Sequence, residues 1–329
     1  MKRFTPDLFL TGMVAAIVAA ALFPAPGAAG GWLHPNLLTK AGIALVFFLN
    51  GGLMSFGALK DGVARWRLHL IIQGATFVLF PIIGLAFLAI AGRWTTPDLR
   101  LGLFYLCAMP STVSSSVAMT AAARGNVPVA VFNATLSSLI GIVITPLWMS
   151  LLLGSMGGHL DMAGVVIDLT IWLVAPLALG QAMRPLIGAW LGRHRKLAQV
   201  ADRGVILILV YTSFCDSFAR HVWSGHAPAT LLTAIVAAIV LFFLVLGLLW
   251  SLCDRFGIPP AFRSAVVFCG TKKSLATGVP MAHLIFAAMP GSLGVILLPI
   301  MIYHPFQLLM CAPLAAKWAK LTEENAVTD

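Results

Sequence analysis

The sequence predicts an all-α integral membrane protein of ten transmembrane helices, divided into two five-helix halves. Three observations predict it. Of 329 residues, 60% are hydrophobic and only 10% charged, with a mean hydropathy of +0.97; soluble domains carry roughly 25% charged residues. Ten apolar runs, each near the ~20 residues a bilayer requires, cover 7–25, 38–56, 68–92, 100–123, 127–154, 163–186, 201–220, 228–253, 261–287 and 290–315. With the N-terminus inside, the inner segments hold 15 Lys and Arg and the outer ones 4 (Lys40, Arg93, Arg100 and Arg220). Basic residues favour the cytoplasmic side of short loops, so both termini are expected in the cytoplasm and the chain in a cytoplasmic (inner) membrane. The lipid bilayer is thus the first implied partner, and a net charge of +10 calls for no nucleic acid.

Taken in order, the runs are not alike. The first follows "MKRFTPD", where Asp7 interrupts a basic flank, so a retained helix is expected rather than a cleaved signal. The fourth reads "CAMPSTVSSSVAM", a proline followed by six residues of which five are Ser or Thr. The sixth opens near Asp168, read as an interfacial residue. The seventh holds "YTSFCDSF", in which Asp216 is either a proton carrier, a lysine partner or one end of an ion pair with Arg220 four residues on. The ninth reads "FCGTKKSLATGVPM" and places Lys272 and Lys273 in an otherwise apolar span, with His283 one turn beyond Pro280. The tenth holds His304 and Gln307, the latter expected to face the core. Cys107, Cys215, Cys253, Cys269 and Cys311 are scattered singly through apolar runs and read as small core residues.

The two lysines are the leading suspects. An uncompensated charge near a bilayer centre costs about 2.5–3.5 kcal/mol on insertion scales, so such residues mark function more often than packing. Five spans per half invert the second half relative to the first, giving repeats at 1–154 and 155–329. The fourth and ninth runs then hold matching places, and both are interrupted. Paired interruptions in inverted repeats point to a transporter's midplane site, because irregular backbone is tolerated there only where it lines a cavity. Ser114, Ser115, Ser116 and Thr112 on one side, and Thr271, Lys272, Lys273 and Ser274 on the other, are therefore candidate substrate or ion ligands. No metal-ligand spacing and no nucleotide-binding pattern is present, which leaves secondary rather than ATP-driven transport.

"PSTVSSSVAMTAAARGN" (110–126), "FCGTKKSLATGVPM" and "YTSFCDSF" resemble the bile acid:sodium symporter family, and the resemblance runs nearly the length of the chain. It implies a panel of helices 1, 2, 6 and 7, and a core of helices 3–5 and 8–10 in which the broken fourth and ninth helices cross. It also implies sodium sites, and here the residues depart from the pattern. Ser115–Ser116 occupies the region of a Ser-Asn pair. Two fifth-helix hydroxyls fall on Ala130 and Ala134, with Asn133 and Thr135 beside them. The shared glutamate falls on Phe268, and a glutamine falls on Lys272. A third-helix glutamine falls near Thr76, with Gln73 one turn away.

Sodium as coupling ion is therefore in doubt. An ammonium can satisfy the same carbonyls and hydroxyls as sodium, and Lys272 is expected in the cation's place, with Lys273 pairing or touching substrate. Neighbouring helix residues point about 100° apart, which separates the two roles. The expected function is a secondary transporter of a small organic anion by alternating access, driven by sodium, by protons through Asp216 or His283, or by neither. Two rivals are an intramembrane hydrolase with a Ser–Lys272 dyad and a non-transporting membrane regulator. The sequence assigns no cofactor and no oligomeric state.

Overall fold

The computed structural model describes residues 8–53, 65–91, 95–155, 161–221 and 227–328. Asp7, Lys60 and Arg93, all part of the sequence argument, lie outside them. Every element among the described residues is helical. Among those residues, seven helices are long and apolar enough to cross a membrane, and Leu70, Ile90 and Leu232 on them are more than 60% exposed. Large apolar side chains facing outward along helices that satisfy their own backbone are what a lipid solvent requires, and the chain is a multi-pass membrane protein.

The predicted runs missing from those seven are short or split. α1 (Leu8–Leu22) has only 15 residues. The fourth run is divided into α5 (Pro97–Ala108) and α6 (Ser114–Ala122), and the ninth into α13 (Pro260–Thr271) and α14 (Leu275–Ile285). The other elements are α2 (Pro35–Leu53), α3 (Trp66–Gly74) continuing through a π-helical turn π1 (Ala75–Leu79) into α4 (Phe80–Ala91), and α7 (Val127–Ser155). They are followed by α8 (Met162–Leu169), π2 (Thr170–Val174), α9 (Ala175–Ala182), α10 (Arg184–Arg193), α11 (Arg195–Ala219), α12 (Ala227–Arg255) and α15 (Leu293–Thr328).

The chain forms two compact units. One comprises residues 1–54, 160–227 and 279–297. Within it α2 and α9 meet backbone to backbone: a Cβ on Gly51 would collide with the Leu177 carbonyl, and one on Gly180 with that of Phe48. Small residues allow this approach where lipid supplies no hydrophobic drive between helices. Asp216 accepts a hydrogen bond from the Ala29 N–H at 2.8 Å and forms no ion pair with Arg220, so it pins a loop. His283 lies within hydrogen-bonding distance of the Ser213 hydroxyl (2.9 Å) and the Leu209 carbonyl (3.1 Å).

The second unit comprises residues 55–159, 228–278 and 298–329 and holds both breaks. Thr96 caps α5 by accepting the Leu99 N–H at 3.3 Å, with Pro97 at the first helical position. α5 ends because Pro110 forces its predecessor out of the helical region; Met109 has ψ 154°. The "ARGN" stretch is a stop and a start. Arg124, at φ 56°, turns the chain after α6, and the Asn126 side chain accepts the Val129 N–H at 3.0 Å to open α7. All five cysteines are reduced and buried.

Candidate functional site

The two breaks lie against each other. Lys272 leaves α13 in an extended conformation (φ −86°, ψ 145°), and Ser274 caps α14 by accepting the Thr277 N–H at 3.2 Å. Between them the Ser274 N–H donates to the Pro110 carbonyl at 3.0 Å, tying one break to the other. The lysines therefore sit on extended backbone, where successive side chains point to opposite faces, and not on the helical turn expected from the sequence. Gly141 of α7 permits the approach, since a Cβ there would meet the Pro110 ring at 2.8 Å.

Lys273 is fully buried, and its ammonium donates to three backbone carbonyls: Thr76 at 2.9 Å, Cys107 at 2.8 Å and Met109 at 2.7 Å. The Phe80 ring centroid lies 4.1 Å away. An ammonium has three donors, so all three are used and no carboxylate takes part. Cys107 and Met109 belong to the last turn and cap of α5, where the helix dipole favours a cation. Thr145 takes the carbonyl between them, that of Ala108, at 2.9 Å.

The third wall of this cage comes from π1. The Phe80 N–H bonds back to Ala75 across the π turn, so Thr76 would need the N–H of residue 81, which is a proline and has none. The freed Thr76 carbonyl faces Lys273. Pro81 also deprives Phe77, whose carbonyl accepts the Trp148 indole N–H at 2.9 Å. One proline thus frees two carbonyls, one of them serving the site.

Lys272 is equally buried but differently placed. Its ammonium makes one hydrogen bond, to the Ser115 carbonyl at 2.8 Å, with the Phe268 ring centroid 5.4 Å away. Two of its donors meet no acceptor among the described residues. The Ser115 hydroxyl donates to Thr112 at 3.2 Å, which puts two hydroxyl groups beside the carbonyl that holds the ammonium. The three-carbonyl cage thus belongs to Lys273, while Lys272, expected in the cation's place, retains free donors.

Other expected ligands divide clearly. Ser116 is buried and donates to the Phe268 carbonyl at 3.1 Å, and Thr271 donates back to Val267 at 2.7 Å, so both hydroxyls are committed to backbone. Ser114 is exposed on α6 and Thr135 is buried on α7. Gln73 donates to the Asn133 carbonyl at 3.0 Å, and the Asn133 amide lies 2.9 Å from His69 Nδ1. The Gln73 Oε1 atom remains buried without a partner among the described residues. Among the described residues, no serine hydroxyl is hydrogen-bonded to the Lys272 ammonium, which bonds instead to the Ser115 carbonyl. Asp216 and His283 belong to the other unit.

Three residues that shape the breaks are weakly marked in the sequence or not marked at all. Gln307 accepts the Lys273 N–H and donates to the Lys273 carbonyl, each at 2.8 Å. Tyr303 donates to the Thr271 carbonyl and Tyr105 to that of Gly278, each at 2.7 Å. The only available signal for the tyrosines is their rarity: the chain has 3, and these two are fully buried.

Comparison with known proteins accords with this architecture. Residues 7–320 match the SBF-like CPA transporter family. An uncharacterized protein of Pseudomonas aeruginosa is 40% identical over 324 residues, covering 98% of this chain and 96% of the relative. "Putative symporter YfeH" of Escherichia coli is 37% identical, covering 97% and 94% of the two chains. Sodium/bile acid cotransporter 7 of Rattus norvegicus is 34% identical, covering 94% and 92%.

Proposed function

From the premise that the chain belongs to the SBF-like CPA transporter family, we propose that it is a secondary transporter of a small organic anion, working by alternating access without sodium. As a family member it is a bile acid:sodium symporter-like transporter, not an enzyme. The anion, the coupling and the arrangement as ten helices in two inverted repeats, with a panel and a core, are our reading. So is the placement of both termini in the cytoplasm of an inner membrane.

One observation carries the proposal: two buried ammonium groups stand at the breaks, and among the described residues no carboxylate is bonded to either. Lys273 already satisfies three carbonyls of the kind a sodium ion would seek. Two unit charges about 4 Å apart repel by roughly 4 kcal/mol at an effective dielectric of 20, close to a thousandfold in occupancy. Phe268 stands where sodium-coupled members carry a carboxylate, which removes the compensation. A sodium ion therefore does not fit these residues. Lys272, with two unspent donors beside Thr112 and Ser115, is the anion's partner. Because Lys272 is shut off from solvent, substrate reaches it only when covering elements move apart, which is the requirement of alternating access. Asp216 and His283 are the proton carriers to examine if transport proves proton-coupled.

The experiment begins with thermal stabilisation of the purified protein by a panel of carboxylates, sulfonates and conjugated sterol acids. The stabilising anion is then labelled and its uptake into proteoliposomes measured under separately imposed sodium and proton gradients. Uptake that persists when sodium is replaced by potassium is expected. Uptake that collapses on that replacement, or stabilisation only by cations, overturns the proposal.

A further inference from the structure

We infer that the α2–α9 face of the first unit binds an anionic glycerophospholipid, with its phosphate at Arg184 and Arg195. Two cavities on that unit carry the inference. One, of about 620 Å³, is bounded by Leu45 and Phe48 of α2 and by Ile171, Ala175 and Leu179 of π2 and α9; every lining residue is apolar. The other, of about 550 Å³, is lined by Gly52, Gln181, Arg184, Gly192 and Arg195 among others, with no acidic residue lining it among the described residues.

The cavities follow one another along the same pair of helices. Phe48 to Gly52 is four residues of α2, about 6 Å at 1.5 Å per residue, and Leu179 to Gln181 is two residues. An apolar groove and a pocket with two guanidinium groups thus lie within about one helical turn of each other along α2 and α9. Between α9 and α11, α10 presents Leu186 at 81% and Trp190 at 49% exposure, and Trp190 stacks on His194 at 4.5 Å. Exposed tryptophan and leucine flanked by Arg184, Arg193, Arg195 and Lys196 describe a segment at the level of lipid headgroups. A free phosphate compound would leave the groove unused. A choline lipid brings its own cation to the arginines. An anionic phospholipid matches both features, since basic side chains attract its headgroup while the groove receives an acyl chain.

The test is titration of the full-length protein in detergent, followed by native mass spectrometry, with phosphatidylglycerol, phosphatidylcholine and glycerol 3-phosphate as separate probes. Phosphatidylglycerol is expected to bind at least tenfold more tightly than either of the others. Arg184→Gln with Arg195→Gln should weaken it about thirtyfold, from roughly 1 kcal/mol per basic residue. Gly192→Leu supplies a steric version: an added Cβ there meets nothing within 4 Å, so the substitution fills the pocket without disturbing packing. Weakened binding in both variants supports the site. Equal binding of phosphatidylcholine, glycerol 3-phosphate binding as tightly as the lipid, or undiminished binding in the well-folded Gly192→Leu protein overturns it.

Discussion

Gln307 brackets Lys273: its amide oxygen accepts the lysine's backbone N–H and its amide nitrogen donates to the same residue's carbonyl, both at 2.8 Å. A side chain thereby does for one extended residue what a neighbouring strand does in a sheet. Replacing Gln307 with leucine leaves the buried Lys273 N–H without its partner and its carbonyl with only the longer contact to His304 Nδ1, at 3.4 Å. An orphaned buried group costs about 1–3 kcal/mol, and a loss of at least that size is expected, read as a lowered Tm of the purified protein. Gln307→Glu keeps the acceptor and loses the donor, so its Tm should fall between the two. A leucine variant as stable as the parent would show that the break does not need its clamp.

Lys273→Ala empties the three-carbonyl cage. The variant should be destabilised and should then be rescued by a small cation. Its Tm should rise with sodium or ammonium chloride and not with choline chloride, whereas the parent should be indifferent to that exchange. A ligand present at a hundred times its Kd stabilises by about 2.7 kcal/mol, well within reach of a thermal melt. Selective stabilisation of the parent by sodium would contradict the cage's being filled.

Ser115→Leu should reduce uptake at least tenfold while moving Tm little. Its carbonyl still holds Lys272, but the added bulk fills the half-buried space beside Thr112. Ser116→Leu should behave otherwise. From sequence the two serines look equivalent; in the fold Ser116 is buried against the Phe268 carbonyl, so leucine there should impair folding. Uptake assays paired with size-exclusion profiles separate the two cases.

Pro81→Ala restores the N–H that lets Phe77 bond within an ordinary helix and so removes the reason for the π turn. Helix interiors favour alanine over proline by about 3 kcal/mol, so stability should be kept or raised. Withdrawing the Thr76 carbonyl from Lys273 should nonetheless lower transport. A variant that is more stable and equally active would detach the π turn from function.

Both termini are expected in the cytoplasm. A green fluorescent reporter fused after residue 329 should fluoresce and an alkaline phosphatase fusion at the same point should be inactive; the reverse pattern would refute the assigned orientation.

The sequence reveals where the helices break better than what holds the breaks. Pro110, Gly270 and the two lysines announce the interruptions because each is locally unfavourable in an apolar helix. Their partners are distant: Tyr105 serves a carbonyl 173 residues away and Lys273 reaches Thr76 across 197. Nothing local distinguishes these residues from ordinary core. Which lysine enters the carbonyl cage was hidden for a related reason. Whether residue 272 or 273 faces the carbonyl cage depends on where helix gives way to extended chain, and a shift of one residue reverses the answer. Ser114 shows the same limit, since a run of like residues does not say which of them turns outward.

All three ligands of the Lys273 ammonium are main-chain oxygens, and this has a genealogical consequence. Exchanging the side chains of Thr76, Cys107 or Met109 leaves those oxygens in the polypeptide, so no side-chain identity at the walls has to change in step with the lysine. A lineage could acquire or lose this internal cation by altering a single codon, without a matching substitution at any ligand. Pairwise covariation across homologues would then carry no trace of the contact, and descent alone would not reveal which relatives carry their cation within the chain.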